Sequence, residues 1–187
     1  MKALISVYDK NGLDEFCKTL DSLGYEIFST GGTLDYIKKI GIDAFSISDI
    51  TNHEEILEGR VKTLHPRIHA GILADPDNSN HNSDIKRLNL KLFDIVVNNL
   101  YPFEKVSEDP KSLHEEIIEN IDIGGPSMLR AAAKNFKRII VLYDPKDYSE
   151  ISKKLINNSV DLQTREKLAK KIFKVTSDYD KKIFDFL

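Results

Sequence analysis

The 187-residue sequence has a single cysteine, two methionines, no tryptophan and no long apolar run. Because one thiol, Cys17, cannot form an internal disulfide, a disulfide-stapled secreted fold is excluded and a reducing compartment is expected. No segment approaches the roughly 20 apolar residues of a membrane-spanning helix. The apolar segment Ala3–Val7 is too short for a secretory signal. These absences predict a soluble, cytoplasmic protein.

A strong excess of charge of either sign is also missing. The 27 Lys and Arg residues and 30 Asp and Glu residues give a net charge of −3. This balance argues against nucleic acid or an anionic membrane surface as a partner. The length fits one domain, spanning residues 1–187, that can bury a core.

Short apolar segments alternate with amphipathic ones along the chain. Ala3–Val7 and Glu26–Ser29 are predicted to be strands, and apolar residues at helical spacing follow each of them. Phe93–Leu100 is the clearest buried strand, and Ile139–Leu142 is predicted to be the last. Strands and helices that alternate with short connections are typical of an α/β fold with a mainly parallel sheet.

Polar residues mark the predicted boundaries of several helices. Asn11 is predicted to cap the first helix, and Ser112 with Glu115 is predicted to form the capping box of a later one. Residues 75–83, rich in Asp, Asn, Ser and Pro, are predicted to be a surface loop.

A basic segment runs from Gly59 to Pro66 and contains Arg60, Lys62 and Thr63. On an extended backbone Arg60 and Lys62 would point to the same side, because side chains alternate along such a chain. Two cations beside a hydroxyl suit an anion with several oxygens, such as a phosphate monoester. A solvated basic loop is the equally simple alternative.

In an open parallel sheet, ligands bind beyond the carboxyl ends of the strands. Polar residues follow three predicted strands, at 6–10, 30–33 and 99–102. The Thr30-Gly31-Gly32-Thr33 turn would offer helix N–H groups to an anion. A Gly-Gly turn before a helix is also ordinary chain punctuation, so this signal is weak alone.

Other polar residues leave alternatives open. Asp122 and Lys134 bracket a Gly-Gly turn and a helix, and they could share protons with a substrate. A lysine at a helix end equally complements the helix dipole, and Tyr101 could be a core aromatic with a satisfied hydroxyl. His65 and His69 are four residues apart, but Pro66 separates them and no acidic ligand lies nearby, so no metal site is predicted.

Six blocks occur in an order and spacing that closely resemble a known family. They are Ser6–Lys10, Ser29–Thr33, Gly59–Pro66, Asn99–Phe103, Ile121–Pro126 and Ala132–Asn135. The series resembles the inosine monophosphate (IMP) cyclohydrolase domain, the N-terminal half of a bifunctional purine biosynthesis protein. The resemblance spans essentially the whole chain. It implies a methylglyoxal-synthase-like fold, a three-layer α/β/α arrangement with helices on both sides of the sheet.

The resemblance also implies a reaction and a site. The carboxamide nitrogen of 5-formamidoimidazole-4-carboxamide ribotide attacks the formyl carbon and water leaves, giving IMP. The implied catalytic residues are Lys62 and Tyr101, at the formyl oxygen, and Asp122 and Lys134, at the carboxamide. The implied substrate- and phosphate-binding residues are Ser6, Lys10, Thr30, Gly31, Gly32, Thr33, Arg60, Thr63, Asn99 and Gly124. Tyr8 stands where the family often has Ser, so a hydroxyl contact from that position is not expected.

No cofactor or metal is implied, and the partner is a small purine ribotide. Bifunctional family members continue into a folate-dependent formyltransferase domain, and nothing in this chain predicts formyl transfer. That activity is therefore expected from a further domain or a separate protein. The family is usually dimeric, and the sequence leaves the oligomeric state open.

Two other functions fit the same fold. One is a regulatory module that binds a nucleotide or phosphate and needs no catalytic residues. The other is methylglyoxal synthase, which relies on aspartates and lacks the Asn-Leu-Tyr-Pro-Phe block that this chain carries at 99–103.

Overall fold

A computed structural model describes residues 1–53, 56–57 and 61–187. Five parallel strands form one sheet in the order β3-β2-β1-β4-β5. The strands are β1 (Lys2–Val7), β2 (Glu26–Ser29), β3 (Ala44–Ser46), β4 (Ile95–Asn99) and β5 (Ile140–Leu142). The expected α/β class with a mainly parallel sheet is confirmed.

Helices occupy the connections between strands. They are α1 (Leu13–Ser22), α2 (Gly31–Lys39), α3 (Ser48–Thr51), α4 (Pro66–Leu73), α5 (Ser79–Arg87), α6 (Phe103–Glu108), α7 (His114–Glu119), α8 (Gly124–Lys134), α9 (Tyr148–Ile156) and α10 (Leu162–Phe186). Helix α1 packs against α9, whereas α8 packs against α4 and α10. The chain moves from β1 to β3 in one direction and from β4 to β5 in the other, so right-handed crossovers place α1 and α8 on opposite faces of the sheet. The three-layer expectation is confirmed.

The core lies where the central strands meet these helices. All five residues of β4 are buried, and Phe93 just before it is fully enclosed. A strand covered on both faces must be apolar along its length, which explains the run Ile95-Val96-Val97. Among the described residues, no helix is long and apolar enough to cross a membrane.

Several boundary predictions were wrong by one turn or less. Helix α1 begins after Gly12, at φ +68°, and Asn11 does not cap it. Helix α7 begins one residue later than predicted, and Glu116 rather than Glu115 accepts the N–H of Leu113. In both places the backbone of the preceding loop, which sequence spacing does not fix, decides which residue starts the helix.

The predicted surface loop at 75–83 is also shorter than expected. Helix α5 starts inside it at Ser79, and the Asn78 side chain accepts from the N–H groups of Asn80 and His81. Asn is among the best N-cap residues, so a polar stretch can begin a helix as readily as form a loop. The acidic composition of residues 51–58 also predicts a short helix there. Part of that segment lies outside the described residues, and of the described part only Thr51 belongs to an α-helix, as the last residue of α3.

Candidate functional site

The carboxyl ends of β1, β2 and β4 open into a cavity of about 560 Å³. The N-termini of α2 and α8 and the segment before α4 complete its walls. Eleven of the residues implied by the family resemblance line it: Ser6, Lys10, Thr30, Gly32, Thr33, Lys62, Thr63, Asn99, Tyr101, Asp122 and Gly124. Parallel strands bring these separate blocks together because all their carboxyl ends meet at one edge of the sheet.

Three implied residues are not among those that line the cavity. Gly31 starts α2 at φ +41° beside it but does not contribute to the wall. Arg60 lies outside the described residues. Lys134 is exposed at the last position of α8, whose first residue, Gly124, borders the cavity. A helix rises about 1.5 Å per residue, so Lys134 lies roughly 15 Å further along the axis.

Hydroxyl groups and a helix start form one end of the cavity. Ser6 Oγ and Thr30 Oγ1 are 3.0 Å apart and hydrogen-bond to each other. The first N–H groups of α2, at Gly31 and Gly32, belong to the first turn, where an α-helix offers no internal acceptor. Lys10 adds a cation near Tyr8, whose carbonyl lies 3.4 Å from its Nζ. This end has the donors and the positive field that a phosphate requires.

Thr33 and Asn99 shape the same end rather than offering it free groups. The Thr33 hydroxyl donates to the carbonyl of Val7 at 2.9 Å and accepts its N–H at 3.1 Å. Asn99 Oδ1 accepts the N–H groups of Tyr8 and Asp9, and its amide donates to the Asp9 carbonyl. Both side chains therefore fix the loop after β1, which carries Lys10.

Lys62, Tyr101 and Asp122 form a second cluster in the cavity wall, where the charge of Lys62 and the backbone of Tyr101 both act on the Asp122 carboxylate. The missing side chain of Gly124 leaves room for Thr63, because a Cβ at position 124 would stand 2.6 Å from Thr63 Oγ1. The segment holding Lys62 and Thr63 can therefore approach the start of α8 closely. Tyr101 is 44% exposed, and its ring lies 5.7 Å from the ring of Tyr8, centroid to centroid.

The Asp122 carboxylate is held by main-chain donors. The N–H of Gly125 donates to Oδ1 at 2.8 Å, and the Tyr101 backbone also interacts with the carboxylate. Burial raises the pKa of Asp122, and these backbone groups and the charge of Lys62 only partly offset that effect. A carboxyl group with a raised pKa, set in a cavity beside a lysine, is suited to exchanging protons.

The turn that carries Asp122 is tied to the last helix. The N–H of Asp122 donates to the Tyr179 hydroxyl at 2.7 Å. Tyr179 is on α10, 57 residues away along the chain. Helical spacing in the sequence puts Tyr179 on the same stripe as Ile172 and Thr176, and its polar role depends on how α10 packs.

Sequence reasoning also missed Asn98, which lines the cavity and is 3% exposed. Its Nδ2 donates to the carbonyl of Ser6 at 2.7 Å. The sequence does contain a signal for this residue, because two polar residues end an otherwise apolar buried strand. Successive side chains of a strand point to opposite faces of the sheet.

Metal ligands do not converge in this region. No group of three or more His, Cys, Asp or Glu residues in the described part of the chain could hold an ion. His65 caps α4 instead, its Nδ1 accepting the N–H of Arg67 at 3.1 Å.

Comparison with known proteins agrees with this architecture. The profile of the MGS-like domain matches residues 12–127, and that of the AICARFT/IMPCHase bienzyme matches residues 132–187. The crystal structure of ForH superposes with a TM-score of 0.87 at 32% identity, covering 100% of this chain and 96% of that one.

Two curated relatives share the same name. The bifunctional purine biosynthesis protein PurH of Caldicellulosiruptor saccharolyticus is 55% identical over 99% of this chain, and that of Fusobacterium nucleatum is 55% identical over 100%. The chain spans only 36% and 37% of the lengths of these two proteins. The chain thus belongs to the MGS-like domain family, and over nearly its whole length it is similar to the bifunctional purine biosynthesis protein PurH.

Proposed function

We propose that this chain is an IMP cyclohydrolase that closes the purine ring of 5-formamidoimidazole-4-carboxamide ribotide with loss of water. The observation that carries the proposal is one cavity whose wall holds both groups suited to an anion and groups suited to exchanging protons. The similarity to PurH supports a role in purine biosynthesis, and the AICARFT/IMPCHase match supports the cyclohydrolase step. By the same similarity, formyl transfer belongs to a separate domain or protein.

The phosphate would bind at the α2 end of the cavity. Ser6, Thr30 and the first N–H groups of α2 supply hydrogen-bond donors, and Lys10 supplies charge. Anchoring the ribotide there directs its base toward Lys62, Tyr101 and Asp122. Ring closure is intramolecular, so holding the two reacting groups in line is a large part of catalysis.

Ring closure moves two protons onto one oxygen. The carboxamide nitrogen loses a proton as its lone pair bonds to the formyl carbon, and the formyl C=O electron pair moves to oxygen. Asp122, in its ionised form, accepts that proton. Lys62 and Tyr101 stabilise and protonate the formyl oxygen. Asp122 then returns its proton to this oxygen, and the C–O bond breaks as water leaves. The formamido nitrogen gives its proton to Lys62 or Tyr101, and its electron pair forms the new C=N bond, so that every side chain recovers its starting state.

Lys134 receives no step in this mechanism. It lies at the far end of α8 from the cavity, so the role implied by the family resemblance has no direct route to the ribotide within the described part of one subunit.

The first test is ring closure by the purified chain with no cofactor added. Mixing it with the formamido ribotide should change the absorbance as IMP forms. A regulatory module would bind the ribotide without this change. Methylglyoxal synthase would instead release methylglyoxal from a triose phosphate, so both alternatives give different outcomes.

The second test concerns Lys62. We expect Lys62→Ala to lower kcat by about 100-fold or more, because a proton donor and charge stabiliser are lost together. Binding of IMP should weaken far less, since the phosphate end is untouched. Lys86→Ala, at an exposed position on α5, is the matched control. An unchanged kcat in Lys62→Ala would contradict the proposed mechanism.

A further inference from the structure

One buried acceptor beside Asp122 has no donor among the residues that the structure describes. Asn98 Oδ1 is enclosed and accepts no hydrogen bond from any described residue. Buried polar atoms are almost always paired, so an unpaired one at a site calls for a functional explanation. The orientation of the amide is fixed, because its Nδ2 must donate to the Ser6 carbonyl. Asn98 Oδ1 therefore points away from the Ser6 carbonyl.

Gly125 shows what that oxygen faces. A Cβ built on Gly125 would stand 2.8 Å from Asn98 Oδ1 and 2.4 Å from Asp122 Oδ2. The two oxygens thus converge on the same small space from different elements, β4 and the turn before α8. Two acceptors that face each other repel when both are unprotonated, and a proton on the carboxylate turns that repulsion into a hydrogen bond.

The other oxygen of the Asp122 carboxylate, Oδ1, already has a hydrogen-bond partner. Asp122 Oδ1 accepts the N–H of Gly125, so a proton taken up by the carboxyl group belongs on Oδ2. That is the oxygen on the Asn98 side.

We propose that Asn98 is a positioning residue that accepts a hydrogen bond from Asp122 whenever Asp122 carries a proton. This inference rests on the proposed function, in which Asp122 accepts a proton from the carboxamide nitrogen. Stabilising the protonated carboxyl makes its conjugate base stronger. Asn98 thereby helps Asp122 to take the proton without touching the ribotide.

Other groups around Asp122 also influence its pKa. The charge of Lys62 and the main-chain groups of Gly125 and Tyr101 favour the ionised form. Glu119 is the other carboxylate among the described residues that line the cavity. Burial raises the pKa of Tyr179 to about 12, so this phenol stays neutral over the working range.

The test is a pH titration of Asp122 that needs no catalysis. Infrared difference spectra of the full chain report the protonated carboxyl, and Asp122→Asn identifies its band. In Asn98→Leu, which has nearly the shape of Asn, we expect the titration midpoint to move to lower pH. In Asn98→Asp a second carboxyl shares the proton, so the apparent midpoint of the pair moves to higher pH.

The sign of the shift separates the proposal from a packing effect. Leucine makes the site more apolar, and loss of solvation alone would raise the midpoint. An unchanged or raised midpoint in Asn98→Leu therefore overturns the proposal. If that variant does not fold, because it also loses the bond to Ser6, then Asn98→Ala replaces it with the same expected shift and the same overturning result.

Activity supplies an independent readout. The Asp122-dependent limb of the kcat–pH profile should move as the infrared midpoint moves, with KM little changed. A kcat loss that is equal at every pH would indicate a structural role and overturn the proposal. Infrared shifts in the expected directions without ring closure by the wild-type chain would instead refute the proposed function and leave the Asn98–Asp122 contact standing.

Discussion

Asp122 is an ionisable group whose surroundings favour its neutral form. Burial raises its pKa against the opposing effects of two backbone groups and Lys62. A raised folded-state pKa means that the ionised side chain is worse accommodated in the folded chain than in the unfolded one. Its destabilising effect is absent below the unfolded-state pKa, about 3.9 for Asp, and grows as pH rises through the folded value.

The first prediction follows from that sign. Asp122→Asn should raise the free energy of unfolding at pH 7 relative to wild type and lose that advantage near pH 3. The Asn amide imitates a protonated carboxyl and can donate to Asn98 Oδ1. Urea denaturation at both pH values measures the difference. A variant that is less stable than wild type at pH 7 would contradict this assignment.

The second prediction concerns Gly125. Its missing Cβ leaves room for Asp122 Oδ2, Asn98 Oδ1 and Leu100 Cδ2, all within 2.9 Å of where the Cβ would be. Gly125→Ala must push these groups apart, so we expect a loss of about 1–3 kcal/mol in stability together with most of the ring-closing activity. Thermal unfolding and kcat measure the two effects.

Gly32→Ala is the stability control for that experiment, because nothing lies within 4 Å of a Cβ there. It should be neutral or stabilising in a helix. Equal stability losses in the two variants would show that the close approach at Gly125 is unimportant.

At the scale of whole elements, Arg138 fixes the end of α4. Its guanidinium donates to the carbonyls of Gly71, Ile72, Ala74 and Phe93 at 2.7–3.0 Å. The last carbonyls of a helix lack internal partners, and a cation there also complements the helix dipole. Helix α4 begins directly after the segment that carries Lys62, so this anchor helps to hold one wall of the cavity.

The third prediction is that Arg138→Met lowers the free energy of unfolding by about 3 kcal/mol or more, because buried carbonyls lose charge-assisted hydrogen bonds. Chemical denaturation measures the loss. Arg87→Met is the matched control, since Arg87 pairs with Asp84 on the surface and should change stability by less than about 1 kcal/mol. Similar effects in the two variants would contradict the role of Arg138.

At the scale of the whole molecule, the site exists only because distant segments meet at one sheet edge. Lys62 and Asp122 come from different crossovers, and Tyr179 reaches the same turn from the last helix. Helix α8 leads away from that edge, which separates Lys134 from the other three residues of the implied catalytic group.

The fourth prediction tests this separation. Lys134→Ala should leave the affinity for IMP unchanged and lower stability only slightly, by about 0.3–1 kcal/mol, through the helix dipole. Lys10→Ala should weaken IMP binding about tenfold or more by removing a cation at the phosphate end. Calorimetric titration with IMP compares the two. Weakened binding in Lys134→Ala would contradict the placement of this residue outside the cavity.

The sequence by itself determined the parallel α/β fold and most of the cavity wall. Buried strands such as β4 appear in the sequence as apolar runs. The order in which strands and helices alternate fixes where the carboxyl ends of the strands lie. Ser6, Thr30 and Asn99 could therefore be assigned to one edge without coordinates. Local capping was less predictable, because the choice between Ser112 and Leu113 depends on loop backbone that spacing does not encode.

Only the tertiary structure decided which polar atoms are left without partners and which residues face one another. Asn98 and Asn99 are neighbours in sequence, yet the Asn99 oxygen accepts two N–H groups, whereas the buried Asn98 oxygen has no donor in the described part of the chain. Lys134 belongs to the same motif series as Asp122 but lies at the other end of a straight helix. Periodicity specifies faces and edges, whereas hydrogen-bond partners and distances between elements arise from packing across the chain.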